Sequence, residues 1–186
     1  VEAAIKMAQR LDKLGMPVIL SNWSGPNWAI EGTRSFGRQP DGLIGNPLDP
    51  KKLEKIYKSI GDYIQYTKVH YGFEFDAFSF NESDLGINIR QTPEEHAQFI
   101  KGLGTHLEKR GIGTKLLLGD TADANGWPFV EAAIADKSTH KYIKAVSFHS
   151  WRGYTDDHLE RWASAAKRMN VHLLVAKLLR CLECTL

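Results

Sequence analysis

The hydrophobic positions of the chain recur first at helical and then at strand spacing. Val1, Ala4, Ile5, Ala8 and Leu11 share one helical face, and Gly15 follows as a stop. Pro17 to Leu20 is a short apolar run that predicts a buried strand. A Gly/Pro/Asn-rich loop runs from Ser21 to about Leu48. Asp49-Pro50 is a helix start, with an N-cap residue ahead of a proline at the first helical position. Leu53, Ile56, Tyr57, Ile60 and Ile64 continue it as an apolar stripe. Phe73 to Phe80 predicts the next strand. Thr92-Pro93-Glu94-Glu95 is a capping box, and Phe99, Ile100, Leu103 and Leu107 carry that helix to Gly111. Lys115 to Leu118 predicts a strand. Pro128 opens a helix with Val130, Ala133 and Ile134 inward. Tyr142 to Phe148 predicts a strand. Thr155 caps a helix with Leu159, Trp162, Ala163 and Ala166 on one face, and Val171 to Ala176 predicts the last strand.

The order is a leading helix, then five strands joined by four helices. Such alternation means parallel strands with crossover helices. The strands are near-continuous apolar runs, as expected where both faces are covered. An open doubly wound sheet and part of a (β/α)8 barrel both fit. Residues after the strands separate them. Polar or aromatic residues follow almost every strand: Ser21-Asn22-Trp23, Asn81-Glu82, Asp120 and His149-Ser150-Trp151. A barrel lets every strand deliver residues to one opening, whereas an open sheet gathers them at its switch point. No Gly-rich fingerprint follows any strand. The expected fold is α/β, an incomplete (β/α)8 TIM barrel of about five parallel strands.

Composition adds limits. The 186 residues are enough for one domain, 42% hydrophobic and 25% charged, with net charge +2. That charge gives no argument for a nucleic acid or an anionic membrane partner. No apolar run approaches the roughly 20 residues that span a bilayer. The N-terminus, VEAAIKMAQRLDKLG, is too interrupted by charge for a signal peptide. It begins mid-helix without Met, so the expectation is a chain that starts inside a larger protein. Cys181 and Cys184 form a lone CxxC with no second pair and no His at ligand spacing, which reads as incidental.

The candidate chemistry centres on Glu82. It ends a barrel strand, where such folds keep their active sites. Asn81 before it can hold a substrate hydroxyl. Phe78 and Phe80 are expected to desolvate the Glu82 carboxyl and raise its pKa, which suits a general acid. The competing reading is an ordinary solvated loop residue. Trp23, Trp28, Trp127 and Trp151 lie just beyond strand ends, where indoles either stack on sugar rings or anchor loops on the rim. Trp162 sits at helical spacing and is expected in the core. His149 is either a structural residue or one that orients a carboxylate. Asp120 is read as the start of the TADANG turn. His70, His96, His106, His140, His158 and His172 make no metal-ligand set, and no cofactor or metal is implied. Nothing resembles a P-loop, a nucleophile elbow or a zinc signature.

With these residues in place, the chain resembles the clan A retaining glycoside hydrolases, (β/α)8 barrels, and most closely families 39, 30 and 5. SNWSGPNW resembles their strand-3 loop, FSFNE their strand-4 Asn-Glu, VSFHSW their strand-6 segment and HLLVA their strand 7. The resemblance implies a barrel segment over strands 3 to 7, residues 1–176, acting on an oligo- or polysaccharide. It implies double displacement with retention, Glu82 as acid/base, Asn81 on the sugar 2-hydroxyl, and His149 and Trp151 lining the cleavage subsite. Asn22, Trp23 and Trp127 would complete the substrate contacts. It is compatible with a secreted or periplasmic parent without fixing the location of this chain, and places strands 1, 2 and 8, with a strand-2 Arg, outside this chain. The nucleophilic Glu expected at the end of strand 7 is absent: the chain reads Val175-Ala176-Lys177, and Glu183 lies too far on. Residues 177–186 read as an atypical tail, as if out of frame. The expected function is a fragment of a retaining β-glycosidase, inactive as it stands. The alternatives are a carbohydrate-binding pseudoenzyme and a barrel lyase using Lys177 as a Schiff-base amine.

Overall fold

The structure, a computed structural model, describes residues 2–38, 42, 44–86 and 88–177. In chain order its elements are α1 (Glu2–Lys13), β1 (Ile19–Asn22), β2 (Asn46–Pro47), α2 (Leu53–Tyr71), β3 (Ala77–Phe80), β4 (Ile89–Arg90), α3 (Pro93–Lys109), β5 (Lys115–Thr121), α4 (Glu131–Ala135), β6 (Ile143–His149), α5 (Asp156–Met169) and β7 (His172–Lys177). Short 3-10 turns lead into α2 and α4. The capping signals act as the sequence predicts. Thr92 and Glu95 form both arms of a capping box on α3, and Thr155 accepts from the His158 amide at the start of α5. Asp49 also caps, but the proline after it seeds a 3-10 turn, and α2 begins only at Leu53.

Five strands form one parallel sheet in the order β1-β3-β5-β6-β7. Each new strand therefore adds to the same side of the last. Crossovers between parallel strands are right-handed, so a one-directional order puts the helices on one face. That is barrel architecture, and it excludes the doubly wound sheet, whose order reverses at a switch point. Beneath the helices lies the main core, in which Phe78, Phe148, Ile100, Leu103, Leu118 and Trp162 are fully or almost fully buried. The opposite face has its own small apolar layer of Ala77, Leu117 and Ala145, with Leu174 against it.

Three local readings need correction. The strand expected from Phe73 begins only at Ala77. Glu74 and Asp76 explain the delay: their carboxylates accept the amides of Thr114 and Val18, both at 2.8 Å, in place of ladder bonds. The inward face of α5 is Trp162, Ala165 and Ala166, whereas Leu159 and Ala163 are exposed. Trp162 sets this rotation: its ring stacks on Phe148, and its Nε1–H donates to the Ala124 carbonyl at 2.7 Å. The long loop after β1 also supplies β2, which pairs in parallel with β4 and ties that loop to the one after β3.

Among the described residues, β1 and β7 are the edges of the sheet. β7 carries Leu173 and Val175 exposed on it, and an apolar edge strand is a template for further pairing. The 186-residue chain is therefore expected to self-associate at micromolar concentration, and Val175→Lys to shift it toward monomer. Light scattering coupled to size exclusion measures this. A monodisperse monomer with a sharp, reversible thermal transition would count against it.

Candidate active site

Register shifts at the C-terminal ends of two strands build the site. Along β5 and β6, Gly119 faces Ser147 and Thr121 faces Phe148, so Asp120 is an extra residue between them. Gly119 has φ 97° and Asp120 φ 53°. A side chain at Gly119 would also place its Cβ 2.5 Å from the Ser147 carbonyl oxygen, so glycine alone fits. The bulge leaves backbone groups off the ladder, and each finds a partner. The Gly119 amide donates to His96 Nε2 at 3.1 Å, and the Asp120 carbonyl accepts from the Glu82 amide at 3.0 Å. His96 Nδ1 in turn faces Gln91 Oε1 at 3.1 Å. A buried polar pair on α3 and the loop before it thus braces the bulge, and the bulge aims Asp120 inward.

Asp120 is therefore not the start of a surface turn, as its sequence context implies. It is 4% exposed and belongs to the site. Its carboxylate accepts from Ser79 Oγ at 2.7 Å and Ser147 Oγ at 3.4 Å, and meets His149 Nε2 at 3.1 Å. Nε2 is the donor in that contact, since a carboxylate oxygen can only accept. On the other side of the imidazole, Nδ1 lies 2.8 Å from Glu82 Oε1, although the oxygen sits off the ring's N–H direction and no aligned hydrogen bond forms. Glu82 itself has φ 53° and is 7% exposed, so it is a buried carboxylate rather than a solvated loop residue.

The second shift, between β6 and β7, puts Lys177 opposite His149 and leaves Ala176 extra. β7 thus runs through Lys177, one residue past the expected domain boundary. The rest of the tail, including Cys181, Glu183 and Cys184, lies outside the described residues. The shift turns the Lys177 side chain inward. Its Nζ donates to Asn81 Oδ1 at 2.9 Å and to Glu82 Oε1 at 3.1 Å, and lies 4.6 Å from the centre of the Trp23 ring. Asn81 keeps one amide hydrogen pair to spare: its Nδ2 is buried with no acceptor. The inner face of the sheet is therefore layered, from Ala77, Leu117 and Ala145, through Ser79 and Ser147, to Glu82, Asp120, His149 and Lys177.

The aromatic residues divide. Trp23 is 47% and Trp151 38% exposed on the rim. Trp28 is half-buried against the core, with Lys55 over its ring. The structure does not bring Trp127 to the opening: it packs edge-on against Trp162 and donates to Glu131 Oε1 at 3.0 Å. Phe78 and Phe80 also face away from Glu82, packing on Phe99 of α3. The apolar walls expected around the carboxyl are thus replaced by polar partners. Asn22 ends β1, and its backbone carbonyl accepts from the Asn81 amide at 3.0 Å. Among the described residues, no group of three or more His, Cys, Asp or Glu side chains is disposed to hold a metal ion.

The fold of the chain is that of the barrels found in glycoside hydrolase structures. It superposes on an endoxylanase of glycoside hydrolase family 30 from Clostridium papyrosolvens, with a TM-score of 0.72 and 16% identity over 91% of this chain and 42% of that one. The match to SrfJ from Salmonella typhimurium has a TM-score of 0.72 and 22% identity, over 97% and 40% of the two chains. A family 39 β-xylosidase from Caulobacter crescentus matches with a TM-score of 0.66 and 12% identity, over 92% and 39%. The chain thus spans about two-fifths of the length of these structures. No family model and no curated protein matches the sequence.

Two groups beside the site, the half-buried Asp84 and the buried His96, titrate in opposite senses. Burial pushes the Asp84 carboxyl, which accepts the Ala122 amide, up to about 6, and the Glu82 charge adds a little. Burial pushes the His96 imidazole down to about 4, against the pull of Asp120. The folded chain keeps a proton on Asp84 that the unfolded chain releases, so this contribution falls as pH rises through about 6. The unfolded chain protonates His96 near its ordinary value of 6.5, so that contribution is lost as pH falls toward about 4. Each shift corresponds to about 3 kcal/mol, and between pH 4 and 6 the two nearly cancel. Asp84→Asn is expected to make stability rise more steeply with pH across this window. His96→Gln is expected to make it fall instead. Urea unfolding at a series of pH values checks both, and slopes unchanged from the parent would refute the assignment.

Proposed function

We propose that the chain is the central part of the catalytic barrel of a retaining β-glycosidase, with Lys177 standing where its nucleophile would be. Glu82 is the acid/base, Asn81 donates from Nδ2 to the sugar 2-hydroxyl, and Trp23, Trp151 and His149 line the cleavage subsite. One observation carries this reading: Lys177 Nζ lies 3.1 Å from Glu82 Oε1, reaching it from the opposite edge region of the sheet. Retention by double displacement needs a second carboxylate about 5–5.5 Å from the acid. An ammonium there cannot form the glycosyl-enzyme bond. The site as built therefore binds a saccharide and does not cleave it.

The same contact favours a second reading, a carbohydrate-binding pseudoenzyme, because the ammonium is well accommodated. It has Asn81, Glu82 and the Trp23 face as partners. Calorimetry with β-linked xylo- and gluco-oligosaccharides, together with turnover of aryl β-xylosides and β-glucosides, tests both. The chain is expected to bind without turnover, and Trp23→Ala to weaken binding by about 10-fold. Under the first reading Lys177→Glu restores slow hydrolysis with retained configuration. Under the second it restores none. Absence of binding to every saccharide in the panel would overturn both.

A further inference from the structure

We propose that the loop between β6 and α5 is a second saccharide-binding surface, on which Trp151 and Tyr154 hold further sugar units of a chain that runs on from the opening at Glu82. This rests on the saccharide-binding reading above and adds to it a ligand longer than the opening. A difference among the aromatic residues carries it. Of the five tryptophans, Trp23 and Trp28 each lie under a lysine ammonium, and Trp127 and Trp162 pack on one another. Of the six tyrosines, Tyr57, Tyr63, Tyr66 and Tyr71 pack on other rings, and Tyr142 donates to Glu108. Among the described residues, Trp151 and Tyr154 are the tryptophan and the tyrosine left with no ring, hydrogen-bond or cation partner. Both stand on this one loop, 38% and 62% exposed.

The rest of the loop is tied down. The Ser150 amide and Oγ both donate to the Lys177 carbonyl, at 2.9 and 3.3 Å. Arg152 forks onto the Asp123 carboxylate at 3.0 and 2.7 Å, and its carbonyl accepts from the Ala124 amide at 3.0 Å. Gly153 has φ 67°, and a side chain there would place its Cβ 2.6 Å from Asn125 Cβ, so glycine lets the loop close on its neighbour. The Gly153 carbonyl accepts from His158 Nδ1 at 2.7 Å, and Thr155 caps α5. Two large rings are thus held out to solvent on an ordered backbone. Covering such rings is favourable, and a surface ordered in advance gives up little entropy on binding.

What covers them follows from where the loop starts and from its charge. Ser150 is bonded to Lys177, whose Nζ touches Glu82 and the Trp23 face. From there the loop leads away to Asp123 and Ala124, after β5. Trp151 and Tyr154 therefore extend the aromatic surface that begins at Trp23. Arg152 is the one charged residue of the loop, and Asp123 neutralises it. The surface thus suits a neutral ligand with apolar faces and hydroxyl edges. Sugar rings stack on the indole and the phenol, and the unpaired Nε1–H and Oη–H meet their hydroxyls.

Calorimetry on the 186-residue chain with β-linked xylo- and gluco-oligosaccharides, from disaccharide to hexasaccharide, tests this. Affinity is expected to rise about 10-fold along the series, the scale of one added aromatic contact. Tyr154→Ala is expected to remove the rise, and Tyr154→Phe to keep it, because stacking needs the ring. Trp23→Ala is expected to weaken every length alike, since it belongs to the opening itself. Thermal unfolding and light scattering accompany each variant, and Tyr154→Ala is expected to change neither. Disaccharide binding that does not strengthen with length, or a rise that survives Tyr154→Ala, would overturn the proposal and leave the reading of the opening intact. A change of oligomeric state in Tyr154→Ala would show that a second copy covers the ring, and would overturn it too. Absence of binding at every length would overturn both.

Discussion

Everything at the opening of this sheet depends on one backbone irregularity, the extra residue at Asp120. A regular strand would alternate Gly119 and Asp120 between faces and leave Asp120 off the inner surface. The bulge breaks that alternation and turns the carboxylate toward Ser79, Ser147 and His149. The imidazole is then held by its Nε2 and presents the other nitrogen to Glu82. The bulge is itself held by His96, whose Nε2 takes the Gly119 amide. A buried neutral imidazole on a helix thus fixes the position of a carboxylate on a neighbouring strand, through backbone alone.

The fold was legible because its signals are local and redundant. The capping box at Thr92, the Thr155 cap and the apolar runs of β5 and β6 each state one element, and their order states the architecture. The strand-end position of Glu82 was legible for the same reason, since it follows a clear apolar run. Asp120 was not. In sequence it precedes Thr-Ala-Asp-Ala-Asn-Gly, a polar stretch with ordinary turn character, and a bulge has no signature beyond a glycine. His96 was invisible as a brace because its two partners lie 5 and 23 residues away, in a loop and on a strand. The burial of Trp127 was hidden too. It turns on Trp162, which comes 35 residues later and whose core role periodicity alone reveals.

Lys177 shows the limits of reading by position. Counting along the last strand puts it just past the end. The register shift against β6 draws it one place inward and gives it the partners of a site residue. Under the proposed glycosidase reading, an ammonium standing in place of a carboxylate is then not a simple loss. Paired with Glu82 and Asn81 and laid over Trp23, it is a stabilised cation in a polar setting.

The one-directional strand order has a consequence in time. Each strand pairs with its predecessor in the sheet, so most pairings close loops of a few tens of residues, and the sheet can be assembled by accretion from either side. The charged layer obeys a different clock. Glu82 and Lys177 are 95 residues apart, and their contact requires β3, β5, β6 and β7 all to be in register. The contact therefore forms only once each of these strands has found its neighbour, and its presence is a readout of that pairing.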